Sequence, residues 1–414
     1  MIRTELHLMS DVIIRGARPL YGEIIPSGSK NAALPILFAT IATRGISRIY
    51  NLPDIGDVRV AMEILKMLGA KIAYVGDAML IDTECLNYVK IPRELTSKIR
   101  ASSYLIGACL ARFGCFHLSD FGGCNFCNRP IDMHLAAARA IGAETDDEKI
   151  TSTRLSGGRI HFRVPSVGAT VNALVMASAA EGDTVIEGGA TEPHVRAVAG
   201  FLISAGAKIE FSDKEIYVSP GELHGAEITV IPDMIEAGTY LLAAPMTGGR
   251  ISILYPYPYE LESFLDPLSS SGVGVSICNG KITAYGAAER EIEITTAPYP
   301  GYPTDLQPQM APLMAKFCGG VIRERVWQSR FSYLDALSPF GVRYTLNGSD
   351  ARIYSSRLSA ADTSSPDLRG GAAALLTALC TDGESKINNT ETIDRGYSNI
   401  WKRLAALGAD INKI

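Results

Sequence analysis

The 414-residue sequence contains no stretch of about 18 uninterrupted apolar residues, and this argues against a membrane-spanning helix. It has no surplus of positive charge. Its 39 lysines and arginines face 44 aspartates and glutamates, a net charge of −5, so neither a nucleic acid nor a membrane surface is expected as partner. Cysteine is sparse. Eight residues (Cys85, Cys109, Cys115, Cys124, Cys127, Cys278, Cys318 and Cys380) are too few for a disulfide scaffold. Most stand in apolar runs such as LIGACLARFGC and LLTALC, where cysteine reads as a small buried hydrophobe. Cys124 and Cys127 form a CxxC, but no second CxxC or histidine pair completes a zinc site. No metal and no organic cofactor is therefore expected. The N-terminal MIRTELHLMSDVIIRG lacks a positive segment, apolar core and small-residue cleavage site, so the chain is expected in the cytoplasm.

What is present is an ordinary globular composition, 47% hydrophobic and 20% charged. At about 150 residues per domain the length predicts two to three domains. A pattern recurs in it. An apolar helical stretch is followed by glycine and a strand-like run at Gly69, Gly142, Gly206, Gly272, Gly341 and Gly408. The intervals are 73, 64, 66, 69 and 67 residues, six units in all and each too long for a solenoid repeat of roughly 20–50. Each glycine suits a left-handed helix C-terminus, where a Cβ would cost energy. Within each unit a helix rich in small residues comes first, as in KNAALPILFATIATRG and LRGGAAALLTALCTDG, and a second helix follows the strand, as in MHLAAARAIG and YSNIWKRLAALG. The pattern predicts βαβαββ units gathered as two globes of three, with nearly apolar helices inside and sheets outside. The crossings between globes are expected near SGSKN (27–31) and VIPDM (230–234). This gives one globe over 31–231 and a second from 1–30 with 232–414.

Several segments carry chemistry. Gly28, Lys30 and Asn31 lie at a loop-to-helix junction, where a lysine and free N–H groups suit an anion. In SDFGGCNFCNRPIDMHLAAA, Gly122 and Gly123 present Cys124, and Arg129-Pro130 precedes a helix with Asp132 and His134. A cysteine on a glycine loop near arginine can act as acid or nucleophile. Arg100, Arg330, Arg369 and Arg395 recur beside small or turn residues, where helices are expected to begin; together they would build a cationic cleft for phosphates or carboxylates. Asp305, Asp367 and Asp394 stand close to these arginines. One of them could serve as a general base, while Asp367 and Asp394 are read as orienting their neighbours.

The segments SGSKNAALPILFATI, IRASS, FGGCNFCNRPIDMH, PSVGAT, EAGTY, PYPGYPTDLQ, PDLR and IDRGY follow one another over nearly the whole chain. In that order they resemble the enolpyruvyl transferase family, on its sugar-nucleotide branch. The resemblance implies an α/β fold, a two-domain inside-out α/β barrel of six βαβαββ units with the active site in the cleft between the globes. It implies transfer of the enolpyruvyl group of phosphoenolpyruvate, a co-substrate rather than a cofactor, to the 3-hydroxyl of UDP-N-acetylglucosamine. Phosphate leaves, in the first committed step of peptidoglycan synthesis. By this resemblance Lys30, Arg129 and Arg395 hold the phosphate of phosphoenolpyruvate and Arg369 meets its carboxylate. Asn31, Arg100, Val326, Arg330 and Asp305 contact substrate, and Asp305 takes the proton of the attacking hydroxyl. Arg129, Pro130, Ile131, Asp132 and Met133 resemble the nucleotide-binding run, and Ser166, Val167 and Gly168 the stretch that holds the diphosphate. Cys124 matches the loop cysteine that acts as general acid.

The sequence also departs from the family pattern. Phe121 replaces the usual proline before Gly-Gly-Cys, and Asn125, Phe126, Cys127 and Asn128 replace small residues after it. Val164 and Pro165, with Arg163 adjacent, stand where a basic residue is common. Asp-Arg-Ile-Glu reads Asp233-Met234-Ile235-Glu236, and ETVFENRF reads Glu324-Arg325-Val326-Trp327-Gln328-Ser329-Arg330-Phe331. These changes touch the acceptor surface more than the catalytic candidates. A different nucleotide or sugar acceptor, or a catalytically silent nucleotide-binding regulator, fits the same residues.

Overall fold

The computed structural model describes residues 11–118 and 131–414. The chain divides into two compact units, Gly28–Pro232 and Met1–Ser27 with Asp233–Ile414. The crossings at 27/28 and 232/233 fall within the glycine- and proline-bearing joints read from the sequence. They lie a few residues from the boundaries placed at 30/31 and 231/232 because Gly28 and Pro232 form an antiparallel bridge inside the first unit. Gly28 is required at that joint. A Cβ there would lie 1.8 Å from the carbonyl oxygen of Asn51.

The βαβαββ pattern is plain in residues 158–219. A strand Gly158–His161 leads to helix Val167–Ser178, strand Thr184–Glu187, helix Pro193–Ser204 and the hairpin Lys208–Phe211 with Glu215–Ser219. They form a sheet of one parallel and two antiparallel pairs. In each unit the described residues form three sheets, five of the six being four-stranded.

Two repeats exchange their first strands, for a topological reason. Tyr21–Ile24 precedes the first crossing, so it pairs in parallel with Arg250–Leu254 of its own unit. Glu227–Thr229 precedes the second, and pairs in parallel with Ile46–Tyr50. The last repeat is completed from the other end of the chain. Val12–Arg15 sits between Glu384–Asn388 and Asp410–Lys413, antiparallel to both.

Each repeat has one helix whose residues are largely withdrawn from water. In the larger-numbered unit these are Met234–Thr247, Gln307–Lys316 and Leu368–Cys380, which pack on one another. In the other unit Leu105–Phe113 packs on both Lys30–Ala39 and Val167–Ser178. Their Ala, Gly and Thr positions let backbones approach closely. Inside Leu105–Phe113, a Cβ on Gly107 would meet Asn172 at 2.6–2.9 Å. The second helix of each repeat is amphipathic, as in Gly56–Met67, and covers the sheet face. The six repeat glycines all have positive φ, between 89° and 120°, which is the left-handed conformation the spacing predicts.

One expectation about cysteine is corrected. Cys109 and Cys380 are buried, but Cys85 and Cys278 are exposed, because each lies at the edge of a strand or turn rather than inside an apolar helix. Among the described residues no helix is long and apolar enough to cross a membrane, and no group of three or more His, Cys, Asp or Glu could hold a metal.

Candidate active site

Asp305 lies in the turn between strand Ile292–Thr295 and helix Gln307–Lys316. Two guanidinium groups grip its carboxylate. Arg330 Nη1 is 2.7 Å from Oδ1, and Arg369 Nη2 donates to Oδ2 at 3.1 Å. Both arginine side chains are only 5% exposed, against 26% for Asp305. Arg330 Nη1 also donates to the Thr304 hydroxyl at 3.1 Å. Burial pulls the Arg369 guanidinium down, but the Asp305 carboxylate, with Tyr397 and Asp233, more than offsets this and holds it above its ordinary value. Buried cations that keep their charge are suited to anionic substrate groups.

The sequence places Arg369 through its neighbour. Asp367 caps helix Leu368–Cys380, its Oδ1 accepting from the N–H of Arg369 at 2.8 Å and of Gly370 at 2.9 Å. The guanidinium lies 5.5 Å from the Tyr397 ring centroid. Tyr397 is itself fixed by Gln309, which donates to its hydroxyl at 3.1 Å, and by Thr239 at 2.9 Å. Gly396 lets this segment close on the helix start, since a Cβ there would lie 2.4 Å from Leu368. Arg395 is the residue that precedes Gly396 in the chain.

Asp367 orients Arg369, and does so through the backbone N–H. Two other readings need correction. Asp394 accepts from Trp401 Nε1 at 2.7 Å and pairs with Lys413 at 2.8 Å, because the Ile400–Ala406 helix brings Trp401 to it and the strand Asp410–Lys413 brings Lys413. Arg395 also caps the end of the short helix Glu391–Asp394 rather than beginning a helix.

In the unit Gly28–Pro232, Lys30 is the first residue of helix Lys30–Ala39, with Asn31 beside it on the same turn. Lys30 Nζ pairs with Asp57 Oδ2 at 2.6 Å. Arg100 opens the short helical turn Arg100–Tyr104. Ile131, Asp132 and Met133 lead into helix Asp132–Ala140, and the next residue, His134, is buried. Its Nδ1 lies 2.6 Å from Asn172 Nδ2, while Asn172 accepts from Gly107 N at 2.7 Å and donates to Ser103 O at 2.9 Å. Burial first, and Arg100 second, push the His134 imidazolium down to about 4, with Asp132 opposing. The neutral ring rests on Gly168, where a Cβ would lie 2.9 Å from Cε1. Ser166 caps that helix, its hydroxyl accepting from Ala169 N at 3.4 Å, with Val167 and Gly168 in the first turn. Helix N-termini of this kind suit a diphosphate. The structure thus gathers Arg100, Ile131 to Met133 and Ser166 to Gly168 around His134. Val164 is 57% exposed, and Arg163 reaches Asp132 at 3.6 Å. Cys124, Cys127, Arg129 and Pro130 lie outside the described residues.

Asp57, Asn172 and Thr304 are not singled out by the sequence. Asn172 left a trace there, as a lone amide inside the apolar run ATVNALVM. Asp57 reads as an ordinary first-turn acid, and Thr304 as a turn residue.

A family profile described as EPSP synthase (3-phosphoshikimate 1-carboxyvinyltransferase) matches residues 14–404. The chain is 41% identical to UDP-N-acetylglucosamine 1-carboxyvinyltransferase 3 of Caldanaerobacter subterraneus subsp. tengcongensis, covering 98% of this chain and all of that protein. It is 40% identical to UDP-N-acetylglucosamine 1-carboxyvinyltransferase of Clostridium botulinum, again over 98% of this chain and all of the relative. Among solved structures, the enolpyruvyl transferase NikO from Streptomyces tendae is similar with a TM-score of 0.88 and 28% identity, over 98% of this chain and 99% of that one. EPSP synthase from Acinetobacter baumannii, at 16% identity and a TM-score of 0.73 over 97% of this chain and all of that one, shares the fold. With the Asp305–arginine cluster and the six-repeat architecture in place, these likenesses show that the chain belongs to the EPSP synthase family of enolpyruvyl transferases.

Proposed function

We propose that the protein transfers the enolpyruvyl group of phosphoenolpyruvate to the 3-hydroxyl of UDP-N-acetylglucosamine, the first committed step of peptidoglycan synthesis. The observation that carries this is the full-length likeness, 37–41% identical, to relatives named for that activity. The Asp305 carboxylate held by Arg330 and Arg369 supports it chemically.

The reaction needs an acid and a base on separate groups. Asp305 takes the proton of the sugar hydroxyl as its oxygen attacks C2 of phosphoenolpyruvate. The Cys124 thiol gives a proton to the C3 methylene, which becomes a methyl group. In the second step the methyl loses a proton, the C2–O bond to phosphate breaks, and the double bond re-forms. Lys30, Arg129 and Arg395 neutralise the departing phosphate, and Arg369 holds the carboxylate. The N–H groups of the Ser166–Gly168 turn hold the nucleotide diphosphate. Phosphoenolpyruvate carries its own leaving group, so no metal or organic cofactor enters these steps. A cytoplasmic location accords with both substrates.

Phosphate release from phosphoenolpyruvate, measured with a panel of acceptors, tests the reading. Turnover with UDP-N-acetylglucosamine supports it. Turnover only with another acceptor favours the second reading, an altered acceptor, which the exposed Val164 in place of a basic residue motivates. Cys124→Asp keeps some proton transfer and resists epoxide alkylators such as fosfomycin. Full sensitivity in that variant moves the reactive thiol elsewhere, Cys127 first.

A further inference from the structure

Glu324 is fully buried, yet among the described residues its carboxylate makes no ion pair. Four donors satisfy it instead. Oε1 accepts from the Thr296 hydroxyl at 2.6 Å and from the N–H groups of Val326 and Trp327 at 2.8 Å each. Oε2 accepts from the Thr304 hydroxyl at 2.8 Å. Thr296 completes the turn, its oxygen accepting from Arg325 N at 2.9 Å. One carboxylate thus pins the turn that carries Val326, and through Thr304 it touches the residue next to Asp305.

The polarity of these bonds is the informative part. A carboxylate only accepts, so Thr304 must spend its single proton on Glu324. The lone pairs of Thr304 then face Arg330, whose Nη1 donates both to Thr304 at 3.1 Å and to Asp305 at 2.7 Å. The order Glu324–Thr304–Arg330–Asp305 is therefore directional. Reversing the first bond turns a hydroxyl proton toward the guanidinium and breaks the second.

We infer that Glu324 is a positioning residue for the base, acting through the Thr304 hydroxyl to aim Arg330 at Asp305. It touches no reacting atom. The inference rests on the proposed role of Asp305 and extends it to a residue with no substrate contact. In Glu324→Gln the amide N–H₂ group faces Thr304 and donates to it. In Thr304→Val the oxygen is absent but the shape is kept. Thr304→Ser keeps the hydroxyl.

The test is steady-state phosphate release with phosphoenolpyruvate and UDP-N-acetylglucosamine, with melting temperatures recorded for all variants. A lost hydrogen bond to a charged group predicts a fall in kcat of about ten- to a hundredfold for Thr304→Val and Glu324→Gln. KM for phosphoenolpyruvate stays within about twofold, and Thr304→Ser stays within about threefold of wild type in kcat. A packing role would damage the serine and valine variants alike. That outcome, wild-type kcat in Thr304→Val, or a loss confined to KM for phosphoenolpyruvate overturns the inference while leaving the functional reading intact. A wild-type chain that releases no phosphate overturns the functional reading and this inference with it.

Discussion

Lys30 Nζ stands 2.6 Å from Asp57 Oδ2, and neither side chain is more than 13% exposed. The ammonium proposed to meet phosphate is thus held by a carboxylate from the first turn of helix Gly56–Met67. Removing one partner of a buried pair takes this compensation away from the other charge. Asp57→Ala should cost about 3–5 kcal/mol of stability. The double variant with Lys30→Ala should recover part of that loss, because the charge that lost its carboxylate is gone. Denaturant unfolding of the four proteins measures the coupling. Strictly additive losses would mean that the pair contributes nothing of its own.

Gly168 has no room for a side chain, since a Cβ would sit 2.9 Å from His134 Cε1 and 3.1 Å from Nε2. The ring cannot yield easily, because Asn172 ties it to the Arg100–Tyr104 turn through Ser103. Gly168→Ala should therefore displace the first turn of the Val167–Ser178 helix. Affinity for UDP-N-acetylglucosamine should weaken by about tenfold, with phosphoenolpyruvate affinity much less affected. Calorimetric titration of each substrate decides it. Equal weakening of both would place the damage outside the diphosphate turn.

The repeat architecture was legible because backbone chemistry writes it into sequence. Gly69 and its five counterparts stand where a left-handed residue must end a helix, and all six do. The strand exchange was not legible. Nothing in the residues of Tyr21–Ile24 or Glu227–Thr229 says which sheet each joins; the crossing points decide it. The site divides along the same line. Asp305, Arg330 and Arg369 carry long charged side chains beside turns, and the sequence singles them out. Glu324, Thr304 and Asp57 work through bonds between residues 20 to 28 positions apart, and spacing along the chain carries no trace of such pairs. Asp394 shows the converse error. Its neighbour in sequence is Arg395, but its partners in space are Trp401 and Lys413.

Asp305→Asn keeps the size of the side chain and removes its charge. As a general base Asp305 should be worth about a hundredfold or more in kcat. Binding of UDP-N-acetylglucosamine should change far less, since the amide retains an acceptor for one of the two arginines. Pre-steady-state phosphate release combined with equilibrium binding separates the two effects. A matching loss in affinity and turnover would assign Asp305 to binding alone.

Two buried titratable groups should give opposite pH dependences of stability. His134, in the Gly28–Pro232 unit, is pushed from 6.5 down to about 4. Between those values the unfolded chain binds the extra proton, so stability rises with pH from about 4 to 6.5. Glu236, in the other unit, is pushed from 4.5 up to about 7, by burial above all; Asp233 adds to this, while Arg403 and the N–H of Ser27 oppose it. Here the folded state holds the extra proton, so stability falls as pH rises from about 4.5 to 7. Each shift corresponds to about 3 kcal/mol across its window. In the wild type the two slopes oppose each other between about pH 4.5 and 6.5. His134→Asn should expose the Glu236 slope, with stability declining toward neutral pH. Glu236→Gln should expose the His134 slope, with stability climbing over the same range. Melting temperatures from pH 4 to 8 for the three proteins check this, and parallel curves would show that neither group is perturbed as its burial requires.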